Sequence, residues 1–295
     1  MIFSIEKDKT PNLSNARHWA KEGTIFWPSP ETVSSLPAGV YAPAVQNQVP
    51  VLVQSSVKFD SIVPLPESPA NELMAEIKLF WQRKQAYHDN GFIHKRGIIL
   101  WGPPGTGKTS ALFSLGGDLI REHNALVIYG EHPGLLANIL HQIKRIEPER
   151  AVVVFLEDFD RILQEQGVGS YLSLLDGESQ VDGICFIATT NYKDAIDPRF
   201  IGRPSRFDRL IKIDFPSEID RRTYVRVKFP HLEPSLVEDI ISKTDGYSMA
   251  DLRETVVFTI CLGNTVEESI RRINQYKDES PSDFKKAKGL GFGKH

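Results

Sequence analysis

Apolar residues recur along this chain with a spacing that changes from one stretch to the next. Over residues 1–57 they come in short runs broken by proline, such as Gly39-Val40-Tyr41 and Pro50-Val51-Leu52-Val53, with no helical period. That pattern predicts a small irregular or β-rich N-terminal region, a candidate for partner recognition. A helix follows: Ser68 can cap it, Pro69 fits its first turn, and Leu73, Ile77, Phe80 and Trp81 fall on one face before Gly91. From Gly97 onward, strand-like runs (Gly97–Trp101, Ala125–Tyr129, Ala151–Leu156, Gly183–Ala188) alternate with helical patterns over 109–122, 134–146 and 168–176. The alternation predicts an α/β fold, a parallel sheet flanked by helices, over 58–215. Beyond Pro216 the pattern turns helical, at Ile219–Phe229, Leu236–Thr244 and Met249–Leu262, which predicts a small helical domain over 216–280. Residues 281–295 are polar and glycine-rich and read as a flexible tail.

Composition narrows the function. A length of 295 residues suits one large domain and a smaller one. A formal charge of −3 offers no bulk electrostatic attraction for nucleic acid. The two cysteines, Cys185 and Cys261, have no partner at metal-ligand spacing, which points to a reducing, cytoplasmic setting, that of the host if the source is viral. No window approaches the roughly 20 apolar residues that span a bilayer, so no membrane insertion is expected.

The strongest chemical signal is Gly102-Pro103-Pro104-Gly105-Thr106-Gly107-Lys108-Thr109, which fits G-x-x-x-x-G-K-[ST] between a strand and a helix. Glycines let such a loop curl until its N–H groups converge on phosphate oxygens, and the next helix aims its positive end at the same point. Lys108 is expected to reach the β- and γ-phosphates of ATP and Thr109 to ligate Mg²⁺, with Ser110 completing the nucleotide-contacting set.

A second signal is Phe155-Leu156-Glu157-Asp158-Phe159-Asp160, where two acids close an apolar strand at the end that carries ligands in parallel sheets. Nucleotide hydrolases usually place aspartate before glutamate here. Reversing them moves each carboxylate by about one methylene, ~1.5 Å. Glu157 is expected to serve Mg²⁺ and Asp158 the attacking water, both within reach of the metal; the residues alone leave open which of the two orients the water.

Over about Phe59 to Leu262 the chain resembles the AAA+ ATPases, in particular the AAA subgroup. Ile187-Ala188-Thr189-Thr190-Asn191 resembles that family's sensor-1 strand, which implies that Asn191 sits between the acids and the γ-phosphate. Asp197-Pro198 followed by Arg203-Pro204-Ser205-Arg206-Phe207-Asp208 resembles its second region of homology. By that resemblance Arg203 and Arg206 act on ATP held by a neighbouring subunit. Gly246-Tyr247-Ser248-Met249-Ala250-Asp251-Leu252 looks like the lid stretch near the adenine, which brings in Ala250, and Phe59-Asp60-Ser61-Ile62 resembles the segment on the base's other side, which brings in Asp60 and Ile62. The glutamate–aspartate order with Thr-Thr-Asn is similar to the branch that contains the mitochondrial translocase of folded Rieske protein.

Three departures accompany the likeness. One residue is inserted between Asp197-Pro198 and Arg203, and Ser205 and Met249 stand where the family has glycine. Only Gly130-Glu131-His132-Pro133-Gly134 and one amphipathic helix separate Tyr129 from Ala151, with no aromatic-apolar-glycine pore loop. His132 and His141 read as surface histidines, since no carboxylate or cysteine joins them at ligand spacing. The expectation is an oligomeric ATPase, a homo-hexameric ring by resemblance, that couples hydrolysis to moving or remodelling a macromolecule, protein rather than nucleic acid, in chaperone-like fashion. A non-hydrolysing nucleotide-switched scaffold and a nucleic-acid motor or loader are the alternatives.

Overall fold

The computed structural model describes residues 18–22, 25–29, 32–46, 48–55, 63–202 and 206–279. The chain forms two compact units, Met1–Pro37 and Ala38–His295. In the first, β1 (His18–Glu22) and β2 (Ile25–Ser29) pair antiparallel from His18 opposite Ser29 to Glu22 opposite Ile25.

The second unit is built on a seven-stranded sheet. Its strands are β3 (Gly39–Gln46), β4 (Val49–Ser55), β5 (Lys95–Trp101), β6 (Leu126–Tyr129), β7 (Val152–Leu156), β8 (Ile184–Thr190) and β9 (Arg209–Lys212). They lie in the order β4-β3-β6-β7-β8-β5-β9, all parallel except β4, which runs antiparallel to β3. The central strands are continuous apolar runs because both of their faces are covered. Ile98, Leu100, Val153, Phe155, Cys185 and Ile187 pack in one cluster with Leu73, Ile77 and Phe80 of α1 (Ala70–Gln82) and Leu112, Leu115 and Leu119 of α3 (Lys108–His123). The alternate residues, such as Val152, Val154 and Phe186, are equally buried and point to the other face. There α6 (Val168–Asp176) packs against both α4 (Pro133–Ile146) and α5 (Phe159–Gln166).

Several expectations change. The boundary expected near residue 57 falls at Pro37, because the β3–β4 hairpin joins the main sheet. Gly39–Tyr41 pair with Leu126–Ile128 and cover what would otherwise be an open edge of unpaired backbone groups. That pairing stops two residues before Pro43, which has no N–H to offer. The first helix starts at Ala70 with Pro69 as its cap residue and breaks at Arg83 before the short α2 (Lys84–Asp89). Strand β9 and helix α5 are additions to the expected elements.

Past Pro216, α7 (Glu218–Lys228), α8 (Pro234–Lys243), α9 (Met249–Ile260) and the further helix α10 (Val266–Glu279) surround their own apolar cluster of Val225, Val237, Ile240, Ile241, Leu252 and Val256. Ser217 caps α7 by accepting from the Asp220 N–H, and Ser248 and Asp251 form a reciprocal capping box on α9. The Asp220 carboxylate also accepts from the Glu67 N–H at 3.1 Å, so α7 is tied to the segment that leads into α1. Among the described residues no helix is long and apolar enough to cross a membrane.

Candidate functional site

Strand β5 ends at Trp101, and the chain turns through residues 102–107 into α3. Two glycines are required for different reasons. A Cβ on Gly102 would lie 2.0 Å from the Ile213 carbonyl oxygen, so only glycine permits that close approach. Gly107 is left-handed at φ +99°, with open space where a Cβ would stand, so its need is conformational. Lys108 is buried, and its Nζ donates to the carbonyls of Gly102 at 2.9 Å and Pro103 at 2.7 Å. Thr106 Oγ1 also donates to the Pro103 carbonyl, at 2.9 Å. Burial lowers the Lys108 ammonium from its ordinary value, and the charges of Asp158 and Asp160 oppose that shift.

Strand β7 delivers the acids. Glu157 is half-buried, and its Oε1 is buried with no hydrogen-bond partner. Burial pushes the Glu157 carboxyl above its usual range, the Thr109 hydroxyl pulls it back, and the Asp158 charge pushes it up again. Asp158 is exposed and sits in the left-handed region at φ 51°, ψ 53°, with its N–H donating to Thr189 Oγ1 at 3.1 Å. The unusual order of the acids has a local reason here. Aspartate is among the few non-glycine residues that tolerate left-handed backbone, so the short acid occupies the kink and the longer one the strand end.

Strand β8 lies between β7 and β5, with Ala188 opposite Leu156 and Thr190 opposite Trp101. The three carboxyl ends therefore bring the phosphate-type loop, the acids and Asn191 to one edge of the sheet. Asn191 is half-buried at the apex of a turn closed by the Tyr192 N–H donating to Thr190 Oγ1 at 3.0 Å. Thr190 Oγ1 in turn donates to Asp160 Oδ1 at 2.7 Å. Asp160 is a site residue that the motifs do not single out. Its one signal in the sequence is that it is the third acid of the same stretch, two positions after Asp158.

From the helical end of the chain, the Ala250 N–H donates to the Gly105 carbonyl at 3.3 Å, so the start of α9 touches the loop. Thr109 and Ser110 are exposed on the first turn of α3. Arg206 is held elsewhere: Nε and Nη2 contact the two Asp176 oxygens at 2.6 and 3.1 Å, and Nη1 donates to the Arg199 carbonyl. Its own carbonyl lies against Gly97, near the start of β5 and five residues before Gly102, or roughly 16 Å from the loop along the chain. Arg206 is therefore remote from the loop of its own chain. Asp60, Ile62 and Arg203 lie outside the described residues. His132 is exposed with its ring on Gln166 Oε1 at 2.8 Å, and His141 is exposed. Among the described residues no group of three or more His, Cys, Asp or Glu is arranged to hold a metal without other donors.

The donor set nevertheless fits Mg²⁺ beside a phosphate chain. The unpartnered buried oxygen of Glu157, the Thr109 hydroxyl near it and the Asp158 carboxylate are hard oxygen donors, and Mg²⁺ takes few protein ligands alongside substrate phosphates and water.

Residues 98–215 match the family described as "ATPase family associated with various cellular activities (AAA)". The chain is 30% identical over 223 residues, 66% of its length, to the ATP-dependent zinc metalloprotease FtsH 3 of Symbiobacterium thermophilum. It is 29% identical over 246 residues, 74% of its length, to FtsH 2 of Conexibacter woesei, and 26% identical over 222 residues, 70% of its length, to FtsH of Ureaplasma parvum. The matches cover 34%, 34% and 30% of those proteins, so the chain spans about a third of the length of these relatives. With a phosphate loop, paired acids and an asparagine at adjoining strand ends and a matching family domain over residues 98–215, the chain belongs to the AAA+ superfamily of ATPases.

Proposed function

We propose that this chain acts in a homo-oligomer, in which ATP is cleaved at the edge of the sheet and the resulting motion of the helical segment against the sheet moves or remodels a protein partner. One observation carries the reading. Lys108, with the charges of Asp158 and Asp160 acting on it, and the unpartnered Glu157 oxygen converge at the ends of three adjacent strands.

In this reading the loop N–H groups and Lys108 bind the phosphates, and Ala250 sits beside them through its bond to Gly105. Thr109 and Glu157 would hold Mg²⁺, with Asp158 close to its water shell; when bound, the ion neutralises charge on the phosphate oxygens. Asp158 and Asn191 orient a water whose oxygen bonds to the γ-phosphorus as the bond to the β-phosphate oxygen breaks. ADP and phosphate leave, and the water's proton passes to Asp158 and then to solvent. Charge developing on the transferring group is met by arginines of the next subunit, Arg206 and Arg203. The distance of Arg206 from its own loop supports action across a subunit interface. Relatives named as ATP-dependent proteases support a protein as partner. The proteolytic half of those names is not carried over, because the match covers only about a third of each.

The test is steady-state ATP hydrolysis as the chain's own concentration is raised, with Asp158→Asn beside it. Specific activity that climbs with concentration, and an Asp158→Asn variant that binds ATP without turning it over, are the expected results. ATP bound but never hydrolysed would favour the nucleotide-switched scaffold. Turnover unchanged in Asp158→Asn would remove that residue from its role.

A further inference from the structure

We propose that Thr189, Thr190 and Asp160 are positioning residues that lock the acidic strand end to Asn191 and so set the geometry of the hydrolytic step; the proposal rests on the ATPase reading of this site. The backbone ladder between β7 and β8 ends at Leu156 opposite Ala188. The residues just beyond it, Glu157 and Asp158 on one side and Asn191 on the other, are the ones whose placement matters most, and regular sheet pairing no longer holds them.

The two threonine hydroxyls take over. Thr189 Oγ1 accepts from the Asp158 N–H at 3.1 Å and so fixes the left-handed kink that aims the Asp158 carboxylate. Thr190 Oγ1 has one hydrogen, and at 2.7 Å from Asp160 Oδ1 it makes a short charge-assisted bond. Its lone pairs then face the Tyr192 N–H at 3.0 Å, which closes the turn with Asn191 at the apex. On its other side Thr190 is in backbone register with Trp101, immediately before the phosphate loop. One residue thus joins the strand before the loop through its backbone, and the acidic segment and the asparagine turn through its hydroxyl.

Both threonines are buried, at 2% and 0% exposure, in a strand otherwise made of apolar residues. Valine has the same shape and an equal liking for a strand, so packing alone does not explain a hydroxyl at either position. Their partners do. Asp160 is also one of the two carboxylates whose charge acts on Lys108, so the acid anchoring the turn is electrostatically coupled to the phosphate-binding ammonium.

The test compares Thr190→Val, Thr190→Ser and Thr189→Val with the parent chain, reading kcat and KM for ATP and the hydrogen exchange of the Tyr192 amide. Thr190→Val is expected to lower kcat about tenfold or more, since small misplacements of a reacting group are costly, with KM within about twofold. Thr190→Ser keeps the oxygen and should recover most of the rate. Tyr192 exchange should be faster in Thr190→Val only, and Thr189→Val should lower kcat without changing it. Unchanged kcat in Thr190→Val, or a loss that serine does not recover, overturns the proposal. A parent chain that hydrolyses no ATP would instead remove the ATPase reading. Tyr192 exchange would then decide the clamp alone, faster in Thr190→Val supporting it and unchanged overturning it.

Discussion

Gly97 packs against the backbone of the segment that carries Arg206 and lies apart from the nucleotide loop, so replacing it with alanine perturbs one without touching the other. A Cβ at this position would lie 1.9 Å from the Arg206 carbonyl oxygen, 2.7 Å from its carbon and 3.0 Å from Phe207 Cα, all of them backbone atoms. Ordinary contact begins at 3.4 Å, so the segment around Arg206 must retreat by 3.4 − 1.9 = 1.5 Å. The Asp208 N–H, which donates to the Gly97 carbonyl at 3.0 Å, cannot keep its bond after such a shift. A lost hydrogen bond of about 1 kcal/mol and an overpacking cost of about 1–3 kcal/mol together predict a loss of ~2–4 kcal/mol in Gly97→Ala. Urea unfolding measures that loss. Gly134→Ala serves as the control, because a Cβ there meets nothing within 4 Å and, on the first turn of α4, should leave stability unchanged or raise it by up to about 1 kcal/mol. ATP affinity in Gly97→Ala should stay within about threefold, because the loop begins five residues further on. Turnover should fall at least tenfold, as Arg206 moves with its backbone. An alanine variant as stable and as active as the parent would refute the reasoning, since no rotamer change can relieve a clash between a Cβ and main chain.

Two further predictions rest on titration. Burial raises the Glu157 carboxyl, so its charged form opposes folding; stability is higher below the unfolded-state value of about 4.3 and is lost as pH rises through the folded value. Glu157→Gln should therefore raise the urea midpoint at pH 7, with the gain shrinking toward about pH 4, while ATP turnover drops about a hundredfold or more; equal midpoints at every pH would contradict it. Lys95 is buried beside Asp176 and Arg206, and burial lowers its ammonium to about 8. Its neutral form is favoured by folding, so stability should rise as pH climbs from about 8 toward an unfolded value of about 10.4. Lys95→Met should flatten that rise in a series of urea curves, and an unaltered slope would show that another group titrates there.

Features that occupy one unbroken stretch are legible from the residues alone. The phosphate loop needs only Gly102 to Thr109 and two flanking elements, and the acids close an apolar run, so their type and place follow from local pattern, whereas Asn191 is singled out only by the resemblance to the AAA+ ATPases. Short elements without a period of their own are not legible. Helix α5 follows β7 after only Glu157 and Asp158, and its eight residues begin inside the acidic stretch itself. Strand β9 is four residues, Arg209-Leu210-Ile211-Lys212, of which only Ile211 is buried. Helix α10 (Val266–Glu279) lies within the helical region expected over 216–280 but past the last helix the pattern predicts, Met249–Leu262.

Pairings between distant positions are out of reach for a different reason. That Gly39–Tyr41 would cover the edge of β6, that Asp176 would hold Arg206, and that the Thr190 hydroxyl would find Asp160 are each contacts across thirty or more residues. No local propensity encodes them; many partners of suitable type exist along the chain, and only the stacking of strands selects one. By itself, then, the sequence determined the α/β class, the nucleotide loop and the acids, because each is a property of consecutive residues. Tertiary structure alone decided that the N-terminal hairpin belongs to the sheet, that Arg206 stands far from its own loop, and how Asn191 is held, because each depends on which strand lies beside which.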